Sequence, residues 1–117
     1  QDSLNISPLE ILKVDTEGSE LEVIRSLEEL ISKEKPLILI EVLKYNEKDY
    51  KKIQRDDDLF KIFSNLNYAV FRINKDENGS FLNINEVNSL GKYTSNKYAD
   101  HVVIHKNKLD IYSKLIE

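Results

Sequence analysis

The distribution of apolar and polar residues predicts a strand, a helix and a second strand in the first third of the chain. Residues 9–14 (LEILKV) are largely apolar and compatible with a strand. The period then changes, and helical spacing predicts a helix over residues 19–33. Its apolar positions are Leu21, Ile24, Leu27 and Ile31. Pro36 prevents its continuation, and residues 37–42 (LILIEV) form a mostly apolar run typical of a strand covered on both faces.

Two strands joined by a helix form a βαβ unit, which predicts an α/β fold. Such a crossover is right-handed in nearly all proteins, so the two strands lie parallel and end at the same edge of the sheet. Ligands of open parallel sheets bind at this carboxyl edge. Ser19 and Glu22 have the spacing of a capping box at the start of the helix. The residues between the first strand and the helix are therefore the first candidates for chemistry.

The remaining elements are predicted from shorter patterns. An apolar helical face predicts a second helix after the polar stretch 44–58. That face consists of Leu59, Phe60, Phe63 and Leu66. We further expect a strand at 68–73, a turn at 76–79, a short returning segment at 80–84, a loop at 85–100, a strand at 101–105 and a terminal helix at 109–116.

Composition excludes several classes of protein. The 117 residues suffice for one domain at most. No apolar run approaches the roughly 18 residues of a membrane-spanning helix, and the N-terminus lacks the layout of a signal peptide, so we expect a cytoplasmic protein without a membrane partner. The absence of Cys removes disulfides and thiolate catalysis, and two His residues do not favour a zinc site. The net charge of -4 argues against a nucleic-acid partner.

An acidic, glycine-containing turn connects the first strand to the helix. Residues 12–24 (LKVDTEGSELEVI) and 36–42 (PLILIEV) resemble the FkbM family of S-adenosylmethionine-dependent methyltransferases. That family shows a lysine, an apolar residue, Asp, a variable residue, Glu-Gly, a small residue, Glu and Leu, followed by a helix and a strand that ends in Glu. All these positions match here. Residues 66–71 (LNYAVF) also resemble the family, although Asn67 stands where the family usually has glycine.

The resemblance implies the C-terminal half of a class I methyltransferase fold, which is Rossmann-like. The four predicted strands would be the fourth to seventh of that fold, the last one antiparallel. Class I methyltransferases bind the cofactor with a glycine-rich loop and an acidic residue on their first two strands, whereas this chain has only Gly18, Gly79 and Gly91. The chain also begins at Gln1 rather than Met. We therefore expect residues 1–117 to be a single partial domain that lacks the cofactor-binding N-terminal half.

Two carboxylates are the candidate catalytic residues. In the class I strand order, Asp15 and Glu41 would lie at adjacent strand ends, on the order of 5 to 10 Å apart. Methyl transfer to a hydroxyl requires removal of the hydroxyl proton, and a carboxylate with a raised pKa could act as the general base. Asp15 is the first candidate and Glu41 the second. The alternatives are structural, since Asp15 could cap the helix turn and Glu41 could pair with a lysine or a backbone amide.

Glu17 and Gly18 are the candidate cofactor contacts, because they form the turn itself. Glycine permits a positive φ or a close backbone approach there. Both residues could instead serve the turn alone, Glu17 by favouring the N-terminus of the helix. Lys13 shares strand parity with Asp15 and could form an ion pair that lowers the pKa of Asp15.

Metal binding is a weaker interpretation of the same acidic residues. Asp15, Glu17 and Glu41 offer oxygen ligands for Mg²⁺ or Ca²⁺, which some O-methyltransferases use to orient the acceptor, but we expect no metal. His101 and His105 are four residues apart on a predicted strand and are expected to be ordinary strand residues.

Two further groups of residues could take part in binding. The tyrosines in irregular segments could line an acceptor pocket, although packing is the preferred interpretation. These are Tyr45, Tyr50, Tyr93 and Tyr98. Residues 55–58 (RDDD) are interpreted as a solvated helix start rather than a cation site.

The sequence thus favours a methyltransferase that, in the full-length protein, acts on a hydroxyl of a sugar or another small metabolite. The fragment alone is expected to be inactive. The alternative is a non-catalytic interaction or structural module that self-associates through the exposed edge of residues 9–14. Expected partners are a small-molecule or carbohydrate acceptor and, through that edge, a second copy of the chain.

Overall fold

The computed structural model describes residues 10–16, 18–93 and 95–116, which form a mixed α/β structure around one five-stranded sheet. The strands are β1 (Ile11–Val14), β2 (Leu37–Glu41), β3 (Tyr68–Lys75), β4 (Phe81–Glu86) and β5 (Asp100–His105). Their order across the sheet is β1-β2-β5-β3-β4. The helices are α1 (Glu20–Ser26), α2 (Glu28–Glu34) and α3 (Tyr50–Asn65), with 3₁₀-helices at Asn96–Tyr98 and Lys106–Leu115.

The parallel pair predicted from the sequence is present. β1 and β2 run parallel with Val14 opposite Ile40, and α1 and α2 connect them. The strand predicted at 9–14 is confirmed over Ile11–Val14, whereas Leu9 lies outside the described residues. β5 lies between β2 and β3 and is antiparallel to both, so β3 runs in the direction of β1 and β2. The carboxyl ends of β1, β2 and β3 therefore meet the start of β5 at one edge.

The helix predicted over residues 19–33 is in fact two helices. Leu27 separates α1 from α2 with φ -110° and ψ 8°, and its amide donates to the Ile24 carbonyl at 3.1 Å, which is a 3₁₀-type bond. Each short helix buries its own apolar residues, Leu21 and Ile24 in α1 and Ile31 in α2. Apolar spacing does not reveal this break, because Leu27 itself still packs against the core.

The capping box predicted at Ser19 and Glu22 does not form among the described residues. Ser19 makes no side-chain cap hydrogen bond, and the Glu22 carboxylate accepts instead from the Arg55 guanidinium of α3. A charged donor binds a carboxylate more strongly than a backbone amide does. α3 does begin with a side-chain cap, because Asp49 accepts from the Lys52 amide at 3.1 Å.

The prediction for residues 55–58 is wrong. The run at 55–58 lies inside α3 rather than at a solvated helix start, and Asp56 is only 4% exposed. The terminal helix predicted at 109–116 is confirmed as a helix, but it is a 3₁₀-helix and it begins earlier, spanning Lys106–Leu115. It starts where the His105 ring accepts a backbone amide from two residues further along, at 3.2 Å. The error at 55–58 includes Arg55, whose partners lie 37 and 33 residues earlier in the chain.

The sheet separates two apolar clusters. Under the helices lies the larger one, which includes Val14, Ile24, Ile31, Ile38, Ile40, Leu59, Phe63, Val70 and Val103. Full burial of one such side chain stabilises the fold by about 1.5–3 kcal/mol. On the opposite face the C-terminal 3₁₀-helix packs onto the smaller cluster of Ala69, Phe71, Ile84, Val102 and Ile104. The C-terminal 3₁₀-helix thus covers mainly β3, β4 and β5. Ile11, at the start of β1, is 57% exposed.

The outer strands of the sheet are β1 and β4. Self-association through the edge of residues 9–14 stays a prediction. Within the described part of the chain, no helix combines the length and apolar character needed to cross a membrane.

Candidate active site

The acidic residues of the sequence motif lie at the carboxyl edge of the sheet. Asp15 directly follows β1, Glu41 ends β2, and both are exposed. The register pairs Val14 with Ile40, so Asp15 and Glu41 are the next neighbours across two parallel strands, which are about 4.8 Å apart. Strand parity places both carboxylates on the face opposite the buried Val14 and Ile40 side chains. The structure therefore brings together the two residues that the sequence singled out.

A third carboxylate continues this row. Asp100 begins β5 and is the register partner of Glu41 across the antiparallel pair of β2 and β5. Asp15, Glu41 and Asp100 thus lie at one edge of the sheet, where three adjacent strands end or begin. Sequence reasoning missed Asp100, because residues 85–100 were interpreted as loop and no local pattern places β5 beside β2. The sequence signal that could have identified Asp100 is its position directly before the apolar strand predicted at 101–105.

Lys75, at the end of β3, pairs with the third carboxylate. Its ammonium group donates to Asp100, and the two side chains are 37% and 39% exposed. Such exposed pairs contribute at most about 1 kcal/mol to stability. The ion pair considered between Lys13 and Asp15 is not formed among the described residues. Within the same part of the chain, no side-chain hydrogen bond or ion pair occupies the carboxylates of Asp15 and Glu41.

These side chains line an open cleft of about 390 Å³. Lys13 and Lys75 stand beside the three carboxylates, and Leu39 and Ile73 contribute apolar surface. The volume lies within the range of roughly 300–1,000 Å³ that is usual for small-molecule sites. A ligand with hydroxyl groups could donate hydrogen bonds to the carboxylates while its carbon atoms contact the apolar surface.

His101 borders the cleft but is a buried structural residue. Its Nδ1 donates to the Ala99 carbonyl at 2.7 Å, and the Tyr93 hydroxyl donates to its Nε2 at 3.1 Å. Burial lowers the pKa of His101 to about 4, so the ring is neutral at pH 7. His105 is also buried in β5. Both histidines thus occupy strand positions, as the sequence predicted.

The turn between β1 and α1 carries the two predicted cofactor contacts. Gly18 has φ +84°, and a Cβ placed there would meet no atom within 4 Å. The left-handed backbone, rather than close packing by the described atoms, therefore explains the glycine. Glu17 lies outside the described residues. A cofactor contact by Glu17 or Gly18 stays a prediction.

The tyrosines considered for an acceptor pocket do not line this cleft within the described residues. Tyr93 is bound to His101, Tyr98 lies against the Arg72 guanidinium at 4.7 Å, and Tyr50 is 77% exposed on α3. Over the residues that the structure describes, no group of three or more His, Cys, Asp or Glu side chains is placed to hold a metal ion.

Comparison with known proteins places the chain in a family. The family model of the methyltransferase FkbM domain matches residues 1–73. Searches of curated proteins and of solved structures gave no match. The matched segment contains Asp15 and Glu41 and ends within β3, so Lys75 and Asp100 lie beyond it. Because this segment spans more than half of the 117 residues, the chain belongs to the FkbM methyltransferase domain family.

Proposed function

We propose that this chain forms the acceptor side of an S-adenosylmethionine-dependent O-methyltransferase, with Asp15 as the general base. One observation carries the proposal: in a chain of a methyltransferase family, Asp15 and Glu41 stand side by side at the carboxyl edge of the sheet. Family membership favours methyltransferase activity in general. Our proposal adds that the methyl group is transferred to oxygen and that the two carboxylates have the roles described below.

The proposed role of Asp15 is to take the proton of the acceptor hydroxyl. A carboxylate can do so when it lies about 2.6–3.2 Å from the hydroxyl oxygen. Asp15 is exposed in the cleft, and Glu41, one strand away, is the second candidate and can orient a neighbouring hydroxyl. Asp100 suits the role less well, because the Lys75 ammonium already occupies one of its oxygens.

The acceptor that suits this cleft is a sugar or another small metabolite with several hydroxyl groups. Three carboxylates at strand spacing accept hydrogen bonds from neutral hydroxyls, and Leu39 and Ile73 offer contacts for carbon atoms. An anionic acceptor would be repelled by this row and by the net charge of -4.

The described residues do not fit S-adenosylmethionine by themselves. This cofactor supplies the methyl group in such enzymes, but Gly18, Gly79 and Gly91 lie on separate turns and form no glycine-rich loop in the part of the chain that is described. We propose that the chain corresponds to the C-terminal half of a Rossmann-like class I methyltransferase domain, with β5 as its antiparallel last strand. The cofactor loop would then belong to another part of the full-length protein.

Replacement of Asp15 by Asn in the full-length protein tests the proposal. We expect turnover to fall by at least about 100-fold, because the base is lost, while cofactor affinity measured by calorimetry stays the same. Asp57→Asn, which changes an exposed acid of α3, is the matched control and should keep both properties. Retained turnover in Asp15→Asn would contradict the base, and loss of cofactor binding or folding would indicate a scaffold role. No cofactor binding by the unmodified protein would refute the function itself.

A further inference from the structure

One arginine connects α3 to the acidic turn. The Arg55 guanidinium donates to the Gly18 carbonyl at 2.8 Å and, through the same nitrogen, to the Glu22 carboxylate. Gly18 lies in the turn and Glu22 in the first turn of α1, whereas Arg55 is 37 and 33 positions further along the chain. A single side chain thus fixes both the turn and the start of the helix to α3.

Arg55 extends from a well-anchored part of α3. The next residue, Asp56, is 4% exposed and accepts from the Lys52 ammonium at 2.7 Å. Leu59 and Phe63, one and two turns further along the same helix, are almost completely buried in the main core. The helix therefore offers a fixed support against which Arg55 can hold the turn.

Ser19 and Thr16, two described residues of the turn, hold it with no side-chain hydrogen bond among the described residues, since Ser19 makes no side-chain cap and the Thr16 hydroxyl has no partner there. The left-handed backbone of Gly18 is tolerated by glycine, but it supplies no bond of its own. The hydrogen bond from Arg55 to the Gly18 carbonyl is charge-assisted and belongs to the stronger class. Among the described residues of the turn, the contact from Arg55 is therefore the side-chain hydrogen bond that ties Gly18 to α3.

We propose that Arg55 is a positioning residue, which holds the β1–α1 turn so that Asp15 stays beside Glu41 in the cleft. Asp15 lies between the end of β1 at Val14 and this turn, so its backbone is fixed on one side by the sheet and on the other by Arg55. The catalytic consequence rests on the proposed function. The structural part can be measured without any activity.

Hydrogen–deuterium exchange on the full-length protein, with Arg55→Ala compared with Arg25→Ala, tests the structural part. Arg25 also joins α1 to α3, through Asp58 at 3.9 Å, and therefore serves as the matched control. We expect the amides of residues 15–20 to exchange about tenfold faster in Arg55→Ala than in Arg25→Ala, with β2 and β5 unchanged. Equal exchange in the two variants would overturn the proposal.

A conservative variant and a titration separate positioning from general destabilisation. Arg55→Lys keeps a cation with three donors but loses the planar guanidinium fork, so it should restore part of the protection. The hydrogen bond from Arg55 holds the pKa of Glu22 below its usual value. We expect that pKa, followed by NMR, to rise in Arg55→Ala and to change much less in Arg25→Ala. An unchanged Glu22 pKa in Arg55→Ala would show that the contact is absent in solution.

The catalytic test compares kcat per folded molecule, so that a loss of folded protein is not counted as a loss of activity. If Arg55 positions the base, Arg55→Ala lowers kcat about tenfold and leaves the KM of the cofactor within about twofold. Faster exchange with an unchanged kcat would overturn the link from Arg55 to Asp15. If the unmodified protein has no methyltransferase activity, the proposed function fails, and the exchange experiment alone decides whether Arg55 positions the turn.

Discussion

Asn67 adopts a left-handed backbone conformation, with φ 65°, between the end of α3 and the start of β3. Its carbonyl accepts the Lys106 amide at 2.9 Å, so this turn also supports the chain where it enters the C-terminal 3₁₀-helix. The FkbM resemblance has glycine at this position. Asparagine is among the few other residues that visit the left-handed region readily. Asn67 therefore meets the same backbone requirement, and the departure from the family pattern leaves the fold intact.

Gly91 combines a positive φ with close contact, and this makes it a sensitive position. Its φ is +81°, and a Cβ added there would overlap the Asp56 carboxylate and come within 2.8 Å of the Tyr45 ring. We expect Gly91→Ala to destabilise the protein, since the left-handed backbone costs alanine about 1 kcal/mol and displacement of the buried Asp56 adds roughly 1–3 kcal/mol. Urea unfolding measures the loss.

Gly79→Ala is the control for this prediction. Gly79 has nearly the same backbone, with φ +82°, but a Cβ there would meet nothing within 4 Å. The decrease in the free energy of unfolding in Gly79→Ala should be limited to the backbone cost of about 1 kcal/mol. Equal losses in the two variants would show that the approach of Asp56 to Gly91 does not matter in solution.

At the scale of elements, β5 is the strand that organises the sheet. It lies between β2 and β3, and its residues 101–105 are all buried. At its start, His101 links the strand to the preceding segment through hydrogen bonds with Ala99 and Tyr93. This link depends on a neutral ring that donates from Nδ1 and accepts at Nε2.

The buried His101 makes stability depend on pH. Burial lowers its pKa in the folded state to about 4, compared with 6.5 for a histidine side chain exposed to water. Below pH 6.5 the unfolded chain binds a proton that the folded chain excludes. The contribution of neutral His101 to the free energy of unfolding is therefore fully present above pH 6.5 and is lost as the pH falls toward 4. The loss approaches roughly 3 kcal/mol at pH 4.

His101→Gln isolates this contribution, because all other titrating groups remain. We expect the difference in free energy of unfolding between wild type and variant to shrink between pH 7 and pH 4, as measured by urea unfolding at each pH. A constant difference over this range would mean that His101 is protonated in the folded state as easily as in the unfolded chain.

The sequence predicts those elements whose patterns are local. β1, β2 and β3 follow from apolar runs and Pro36, and their ends agree with the structure within about two residues. The break at Leu27 was not predictable from spacing, because this residue faces the core in either arrangement. The charged run at 55–58 was misjudged for a different reason. Arg55 finds its partners 33 and 37 residues earlier in the chain, and no local pattern contains that information.

At the scale of the whole molecule, the candidate site was only half predictable. The handedness of a βαβ unit predicts that Asp15 and Glu41 lie at the same edge of the sheet, and the resemblance to the class I strand order implies that their strands are neighbours. Asp100 and Lys75 join them only because β5 inserts between β2 and β3. Insertion of this antiparallel strand depends on pairing between residues such as Arg72 and His101 or Glu41 and Asp100, which are distant in the chain. The row of three carboxylates is therefore a property of the complete sheet rather than of the motif.

The same geometry predicts how residues 1–117 behave toward S-adenosylmethionine in isolation. The cleft offers carboxylates that could attract the positive charge of the sulfonium, but exposed ion pairs contribute only up to about 1 kcal/mol. Micromolar binding requires about 8 kcal/mol, and even a Kd of about 1 mM requires roughly 4 kcal/mol. We expect calorimetry to show a Kd weaker than about 1 mM for residues 1–117 and much tighter binding for the full-length protein. Micromolar affinity of residues 1–117, abolished by Glu41→Gln, would place the cofactor in the acidic cleft and refute the division of the domain proposed above.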